Sequence, residues 1–397
     1  MSGLGGSLPP RRQYASETTS FDSAVDAIHM EGENWTMKKL TAARLAVTYA
    51  GCFLGAGYVS GQELWQFFGS FGKMAGLGLL LAVALLAAFG TMLLRLAQMT
   101  EIEDVDRLVV RQEWPWLRKL LSIFMCVSLC GVIAIMSAGA GALMQQLFTI
   151  PSWLGGILMT AAVVLMAQRG LQGLVSAFSV LVPVLVLATV LVAISELIRF
   201  PITQAAFAPV SEGSFLMKYW PTAAATFASY NAMGAVGVLA PLGKYADQKK
   251  TVWRGVALGC SMLLLIALSV ILALRACPQA IAQELPMLAL ASAVNPALAY
   301  VYGALLLAAM FGTSLSSLVA VTTLLGQKFP KVEENRGKAT ALLGGAAALG
   351  SLVGFGELIS VLYPMFGYLS GVFLLFMMSH YLWCRRQEKE RVQESCQ

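Results

Sequence analysis

The sequence predicts an all-α integral membrane protein that crosses the bilayer about ten times. Of its 397 residues, 58% are hydrophobic and only 12% are charged, and the mean hydropathy is +0.72. A soluble chain averages about 25% charged residues. Because half that fraction leaves too few charges to cover a globular surface, most of the chain must have lipid as its solvent.

Apolar runs of the right length divide the chain into ten predicted spans, since a membrane-crossing helix needs about 20 apolar residues. Their predicted bounds are 41–69, 74–97, 118–147, 151–168, 171–197, 217–241, 252–275, 297–326, 339–355 and 357–383. A further segment, 279–294, is shorter and is broken by Pro286 and Pro296. We therefore predict that it is re-entrant or interfacial.

Polar segments flank the predicted transmembrane domain, which covers residues 37–383. Residues 1–36 are rich in Gly, Ser and Pro and lack the apolar core of a signal peptide, which predicts a disordered tail. Because Lys38 and Lys39 directly precede the first apolar run, this tail is expected to be a mis-assigned start or a dispensable extension. Residues 384–397 are predicted to form a cytoplasmic tail.

The basic residues fix the predicted orientation. With the N-terminus in the cytoplasm, all but four of the 27 lysines and arginines lie on the inner side. The exceptions are Lys73, Arg199, Lys218 and Arg275. This bias follows the positive-inside rule, and one span more or fewer would scramble it. The prediction is therefore a multi-pass protein of the cell membrane with both termini in the cytoplasm.

The first span contains an unusual central stretch. Four glycines lie in it, at Gly51, Gly55, Gly57 and Gly61. Each glycine weakens a helix by about 1 kcal/mol relative to alanine, although small residues at spacing four also suit a helix–helix packing face. Packing does not explain Gln62 and Glu63, since a carboxylate inside a span costs about 2.5–3.5 kcal/mol. We predict a functional break here, with packing alone as the alternative.

The sixth span contains a second polar interruption. Ser229, Tyr230, Asn231 and Gly234 lie near its middle. Five spans separate the two interruptions, so the two helices run in opposite directions. Interrupted helices at matching positions are typical of inverted-repeat transporters. The sequence therefore predicts a 5+5 inverted repeat with unwound first and sixth helices.

Free backbone groups at such breaks suggest the chemistry of the solute. Free N–H groups at a half-helix start suit a carboxylate, and free carbonyls suit a cation. A zwitterion such as an amino acid fits both. In the eighth span, Thr313, Ser316 and Ser317 share one helix face, and their hydroxyls could ligate sodium. The alternative is that these hydroxyls bond back to the preceding turn.

The string Gly55-Ala-Gly-Tyr-Val-Ser-Gly-Gln-Glu63, followed by Gln66-Phe67-Phe68, resembles the YkvI-like group of predicted amino acid permeases in the amino acid–polyamine–organocation superfamily. The resemblance runs from about residue 38 to 383. It implies the fold of bacterial leucine transporters, in which five helices are followed by an inverted five and the first and sixth helices are unwound.

The resemblance also implies site residues. Substrate would contact the first-helix amides and the sixth helix, at Gly55, Ala56, Gly57, Ser60, Tyr230, Asn231 and Met233. A sodium ion would lie between first-helix carbonyls and eighth-helix hydroxyls, at Gly51, Leu54, Thr313, Ser316 and Ser317, with Ser314 as a replacement.

Gln62 and Glu63 are predicted to act in gating or proton coupling. Helix geometry would put Glu63 about 11 Å beyond the break, toward the outside. There it could hold a substrate ammonium, shuttle a proton or form an outer-gate ion pair. The alternative is a carboxylate that only reaches the membrane interface.

These observations predict a secondary active transporter that works by alternating access. Its solute would be a small zwitterion, with an amino acid favoured, and the coupling ion would be sodium or a proton. A carrier of another small organic solute or cation, and a channel-like pore, are the alternatives, although no filter-like loop is present. The sequence leaves the oligomeric state open.

Other classes of protein fit poorly. The two histidines, His29 and His380, lie outside the span interiors, so an enzyme with a histidine-based catalytic pair is not expected. Most of the seven cysteines lie in apolar runs, which predicts no transition-metal site. Basic residues occur in short clusters between spans, so nucleic acid is not an expected partner. Apart from sodium no cofactor is expected, and the predicted partners are the solute and the lipid bilayer.

Overall fold

A computed structural model of the protein describes residues 41–100, 105–111, 114–169, 174–200, 215–243 and 248–395. All regular secondary structure in these ranges is helical. The predicted tail at residues 1–36 lies outside them.

The first half of the chain forms helices α1 (Ala42–Phe53), α2 (Ala56–Ser60), α3 (Gln62–Phe67), α4 (Ala75–Thr100), α5 (Val105–Val109), α6 (Pro115–Phe148), α7 (Ser152–Arg169) and α8 (Leu174–Arg199). The second half forms α9 (Trp220–Gly243), α10 (Lys249–Ala276), α11 (Pro286–Val294), α12 (Pro296–Lys328), α13 (Pro330–Glu334), α14 (Arg336–Gly350) and α15 (Phe355–Ser395). Short 3₁₀ helices cover Gly69–Met74, Pro278–Ala282 and Ser351–Val353.

Six helices in the described ranges are long and apolar enough to cross a membrane: α4 with the turn before it, α6, α9, α10, α12 and α15. The protein is therefore an integral membrane protein. The other four predicted spans correspond to the broken unit α1–α3, to α7, to α8 and to the 15-residue α14. The total of ten spans stays a prediction.

Two segments refine the predicted boundaries. Residues 279–294 form a 3₁₀ turn and the nine-residue helix α11, which is too short to cross the bilayer and agrees with an interfacial segment. The last helix, α15, continues to Ser395, so the predicted tail at 384–397 starts inside a helix. Its residues after 383 are mainly Arg, Gln, Glu and Lys, which favour helix and include no Gly or Pro.

The sixth span corrects the prediction of an unwound helix, because α9 runs without interruption from Trp220 to Gly243. Its polar side chains bond to carbonyls of the preceding turn. Ser229 Oγ donates to Ala225 O at 2.7 Å, and Asn231 Nδ2 donates to Phe227 O at 3.0 Å. These bonds satisfy the polar groups without breaking the backbone ladder.

The broken first span lies at the centre of the bundle, where α2 and α3 contact α8, α9, α10, α11, α12 and α15. Buried tyrosines tie this span to its neighbours. Tyr58 Oη donates to Leu263 O of α10, and Tyr302 Oη of α12 donates to Val59 O, each at 2.7 Å. A buried hydroxyl without a partner would cost free energy, so these bonds favour one position of the break relative to the surrounding helices.

Candidate functional site

The predicted break in the first span is present. Helix α1 ends at Phe53, and Leu54 leaves the helical region with φ −82° and ψ 60°. Gly55 is extended, with φ −75° and ψ 170°, and α2 begins at Ala56. The chain therefore changes direction at Leu54 and Gly55, inside the bundle.

The break leaves backbone polar groups without helical partners. The N–H of Gly55 donates to Phe53 O at 2.9 Å, so it does not serve the Gly51 carbonyl one turn earlier. Tyr58 is the first residue of α2 whose N–H bonds back, to Gly55 O at 3.1 Å. The N–H groups of Ala56 and Gly57 thus precede the intrahelical bonds.

A second kink follows at Gly61, which has φ 85° and separates α2 from α3. This left-handed residue turns the chain so that Glu63 folds back over Gly57. A Cβ atom built on Gly57 would lie 2.7 Å from Glu63 Oε2 and 3.6 Å from Glu63 Cβ. The predicted separation of about 11 Å is therefore wrong, because it assumed a straight helix.

The Glu63 side chain is 4% exposed and joins the first span to the sixth. Tyr230 Oη donates to Glu63 Oε1. Asn231, the next residue of α9, donates its amide to Phe227 O at 3.0 Å, and its second amide hydrogen is not used by that bond. The structure thus brings Glu63, which the sequence assigned to gating or proton coupling, next to Gly57 and Tyr230. The sequence assigned those two residues, with Asn231, to the substrate site.

Aromatic rings surround this carboxylate. Tyr230 stacks on Tyr363 of α15, with ring centroids 4.7 Å apart and planes at 20°. Phe67 and Phe227 lie with their ring centroids 5.7 and 5.8 Å from that of Tyr230. Apolar walls lower the local dielectric constant and strengthen the attraction of the carboxylate for a cation.

Ion pairing does not neutralise Glu63 within the described residues, where no lysine or arginine nitrogen lies within 4.0 Å of it. Two of the basic residues predicted on the outer side have other partners. Arg275 donates to Gly69 O and Gly72 O at 2.6 and 2.9 Å, and Arg199 donates to Ala293 O at 3.0 Å. In this part of the chain the predicted outer-gate pair is not formed.

Two predicted substrate contacts have less support from the geometry. Ser60 is fully buried beside the break, but its Oγ donates to Gly57 O at 3.0 Å. Met233 is buried one turn after Tyr230, and no described contact joins it to Glu63.

A polar cluster that the sequence did not predict lies next to the site, where α3 meets the start of α15. Gln62 Nε2 lies 2.8 Å from a Cβ position on Gly356, and Gln66 Nε2 donates to Gly356 O at 2.9 Å. Glu284 accepts the Gly356 N–H at 2.6 Å. The Glu284 contact joins residues 72 positions apart, and Tyr363 contacts Tyr230 across a still longer stretch of chain. Contacts between such distant segments leave no local signal in the sequence, which is why Glu284 and Tyr363 were missed.

The four hydroxyls of the eighth span differ in their surroundings. Ser316 is exposed and donates to Gly312 O at 2.7 Å, which is the alternative that the sequence left open. Ser317 is buried and Thr313 is half-buried. Ser314 is fully buried, and within the described ranges its hydroxyl has no hydrogen-bond partner. The same ranges contain no group of three or more His, Cys, Asp or Glu side chains that could hold a metal ion.

Sequence comparison finds relatives among bacterial membrane proteins, although no family model matches the chain. It is 24% identical over 337 residues to the uncharacterized membrane protein YkvI of Bacillus subtilis (strain 168), a match that covers 85% of this chain and 95% of YkvI. It is 29% identical over 195 residues to the uncharacterized protein YyaD of the same organism, covering 49% of this chain and 54% of YyaD.

Solved structures share the fold. MhsT in complex with L-phenylalanine matches with a TM-score of 0.56 and 16% identity, over 85% of this chain and 89% of MhsT. A Na⁺-coupled sialic acid symporter matches with a TM-score of 0.57 and 13% identity, over 86% of this chain and 79% of the symporter. Mhp1 in an inward-facing conformation matches with a TM-score of 0.57 and 15% identity, over 90% of this chain and 82% of Mhp1.

These matches confirm the resemblance that the Gly55–Glu63 string predicts, because they extend over most of the chain. The chain is therefore a relative of the membrane protein YkvI, built on the leucine-transporter-type fold that it shares with MhsT, Mhp1 and the sialic acid symporter.

Proposed function

We propose that this protein is a secondary active transporter, working by alternating access, for a small solute that carries a protonated amine, with an amino acid as the favoured solute. The observation that carries the proposal is the buried Glu63 carboxylate at the break of the first span, with no basic partner in the described ranges. A carboxylate inside a span costs about 2.5–3.5 kcal/mol, so such residues usually bind an ion or solute.

The surroundings of Glu63 favour an ammonium group as its partner. Tyr230 donates to the Oε1 atom of the carboxylate, and Oε2 faces the backbone at Gly57, where there is no side chain. A solute ammonium has three N–H donors and could bond to Oε2 while lying against the aromatic rings.

The carboxylate of a zwitterionic solute would bind at the break in the first span. The N–H groups of Ala56 and Gly57, which precede the intrahelical bonds of α2, are the proposed partners of a solute carboxylate, in keeping with the resemblance. The Gly55 N–H, which the resemblance also implies, donates to Phe53 O in this structure. MhsT is described in complex with L-phenylalanine, and this supports an amino acid as solute. The unpaired Glu63 also favours the alternative of an organic cation without a carboxylate.

Sodium is the proposed coupling ion, supported by the Na⁺-coupled symporter among the structural neighbours. Its ligands would be the carbonyls of Gly51 and Leu54 with hydroxyls of α12. The buried and unpartnered Ser314 hydroxyl makes Ser314 a better ligand than the exposed Ser316. Proton coupling through Glu63 is the alternative.

The test compares three solute classes on the purified protein by thermal unfolding: amino acids, amines without a carboxylate, and acids without an amine, each with and without sodium. A ligand at 100 times its Kd adds about 2.7 kcal/mol of stability. We expect amino acids to raise the melting temperature, and more so with sodium. If amines alone act as strongly, the organic-cation alternative replaces the amino acid.

Matched variants assign the effect to the site. Glu63→Gln should abolish the stabilisation by amines and amino acids. Glu357→Gln, which removes an exposed carboxylate at the start of α15, should leave it intact. Equal stabilisation of wild type and Glu63→Gln, or stabilisation by acids without an amine, would contradict the proposed role of Glu63.

A further inference from the structure

A groove of about 330 Å³ opens on the surface of the bundle, between α4, α10 and α15. Its walls include Ala88 and Thr91 of α4, Trp253 and Ala257 of α10, and Tyr381 of α15. The volume lies within the range of about 300–1,000 Å³ that is usual for small-molecule sites.

The three helices carry charged residues at one end of this groove. Arg95 follows Thr91 by one turn, and Lys249 precedes Trp253 by one turn, so each lies on the groove face of its helix. Glu388 of α15 joins them, at 3.7 Å from Arg95 Nη2 and 3.5 Å from Lys249 Nζ. The groove therefore leads directly to a charged cluster that links all three helices.

This cluster has an excess of positive charge. Arg95 and Lys249 share the single carboxylate of Glu388, and the Lys249 side chain is 70% exposed. The same ends of α10 and α15 carry three further exposed basic residues, Lys250, Arg254 and Arg385. By the positive-inside rule, this end of the bundle faces the cytoplasm.

Aromatic side chains mark the level of the membrane interface on the groove wall. Trp253 is 65% exposed, and Tyr381 is half-buried. Tryptophan and tyrosine concentrate where the acyl chains meet the headgroups. Apolar wall, aromatic belt and basic rim thus follow one another along the groove in the order of a phospholipid's acyl chain, glycerol region and headgroup.

We infer that this groove binds an anionic phospholipid of the cytoplasmic leaflet. One acyl chain lies against Ala88 and Ala257, and the headgroup phosphate pairs with Lys249 and Arg385. Basic pockets between spanning helices on the cytoplasmic side suit such headgroups. A zwitterionic phospholipid fits less well, since its own ammonium group would face the same cations.

The inference is tested on the purified protein in detergent, with phosphatidylglycerol and phosphatidylcholine of identical acyl chains. Native mass spectrometry measures the affinity of each lipid, and thermal unfolding measures the stabilisation. We expect phosphatidylglycerol to bind more tightly and to raise the melting temperature more. Equal affinity for the two lipids would overturn the inference.

Variants locate the site. Lys249→Gln and Arg385→Gln should each lower the affinity for phosphatidylglycerol about fivefold, because one basic residue near the membrane surface contributes about 1 kcal/mol. The affinity for phosphatidylcholine should stay unchanged. Ala88→Trp, which fills the groove, should remove tight binding of phosphatidylglycerol. The control is Lys331→Gln, an exposed lysine of α13 away from the groove. If Lys331→Gln lowered the affinity for phosphatidylglycerol as much as Lys249→Gln does, the assignment of the site to this groove would be wrong. The same holds if Ala88→Trp left that affinity unchanged.

Glycerol phosphate, which has the anionic group but no acyl chain, separates a lipid site from a simple phosphate site. It should leave the melting temperature unchanged at concentrations where phosphatidylglycerol raises it. Stabilisation by glycerol phosphate alone would overturn the assignment to a lipid. None of these measurements depends on transport activity.

Discussion

Gly57 and Glu63 depend on each other for their positions. The Glu63 carboxylate lies over Gly57 because position 57 has no side chain, and the left-handed Gly61 brings the carboxylate there. Tyr230 then holds one carboxylate oxygen from the sixth span. The seven residues from Gly57 to Glu63 thus determine where a charge lies in the middle of the bundle.

Replacing Gly57 tests this dependence. Gly57→Leu should abolish uptake in proteoliposomes of the solute that stabilises the purified protein, because the new side chain would occupy the position of Glu63 Oε2. Overpacking of this kind costs about 1–3 kcal/mol, so membrane insertion should persist with a lowered melting temperature.

Gly51→Ala is the matched control, since a Cβ at Gly51 meets nothing within 4 Å and the carbonyl is kept. Uptake by this variant should equal that of the wild type. Unchanged uptake by Gly57→Leu would rule out the break as the solute site.

At the scale of elements, the first and sixth spans respond differently to polar and small residues. In the first span, glycines at 51, 55 and 57 weaken the helix around Leu54, and the chain breaks there. In α9, Ser229 and Asn231 bond to the preceding turn, and the helix continues through Gly234 and Gly237. Polar side chains that bond to the preceding turn are thus compatible with an unbroken helix.

Gly234→Ala tests whether α9 stays continuous during transport. A Cβ at Gly234 meets nothing within 4 Å, and alanine in a helix interior is more stable than glycine by about 0.5–1 kcal/mol. The variant should therefore have a raised melting temperature and normal uptake. Loss of uptake with raised stability would mean that the sixth span must unwind in another state of the cycle.

The α12 hydroxyls test sodium coupling. The double variant Thr313→Ala with Ser317→Ala, and separately Ser314→Ala, should raise the sodium concentration needed for half-maximal uptake. Ser316→Ala is the control and should leave this sodium concentration unchanged, because Ser316 is exposed and bonds within its own helix. Uptake that never responds to sodium would favour a proton carried by Glu63.

At the scale of the whole molecule, α2 and α3 occupy the middle of the bundle and contact helices from both halves of the chain. Hydrogen bonds that involve Tyr58, Tyr302 and Tyr230 attach this unit to α10, α12 and α9. A shift of the unit relative to these helices would break buried hydrogen bonds, each of which costs free energy unless it is replaced. The proposed alternating-access cycle should therefore exchange these bonds for others.

The predicted orientation of the spans has its own test. In a background without the seven native cysteines, a membrane-impermeant maleimide should label Gln283→Cys in intact cells. It should label Lys331→Cys only after permeabilisation. Both positions are exposed, one before α11 and the other in α13. Labelling of both from the outside would overturn the ten-span arrangement.

The sequence by itself determined the environment of the chain, most of the helix bounds and the place of the first break, because these follow from local composition and from glycine. It also singled out Glu63, Tyr230 and Asn231, although it assigned Glu63 to gating or proton coupling and the other two to the substrate site. Only the tertiary structure decided that α9 stays continuous, that Glu63 turns back over Gly57 and that Tyr363 and Glu284 lie nearby. These outcomes depend on hydrogen bonds within a turn, on one left-handed backbone angle and on contacts between distant segments, and a linear pattern of residue types specifies none of the three.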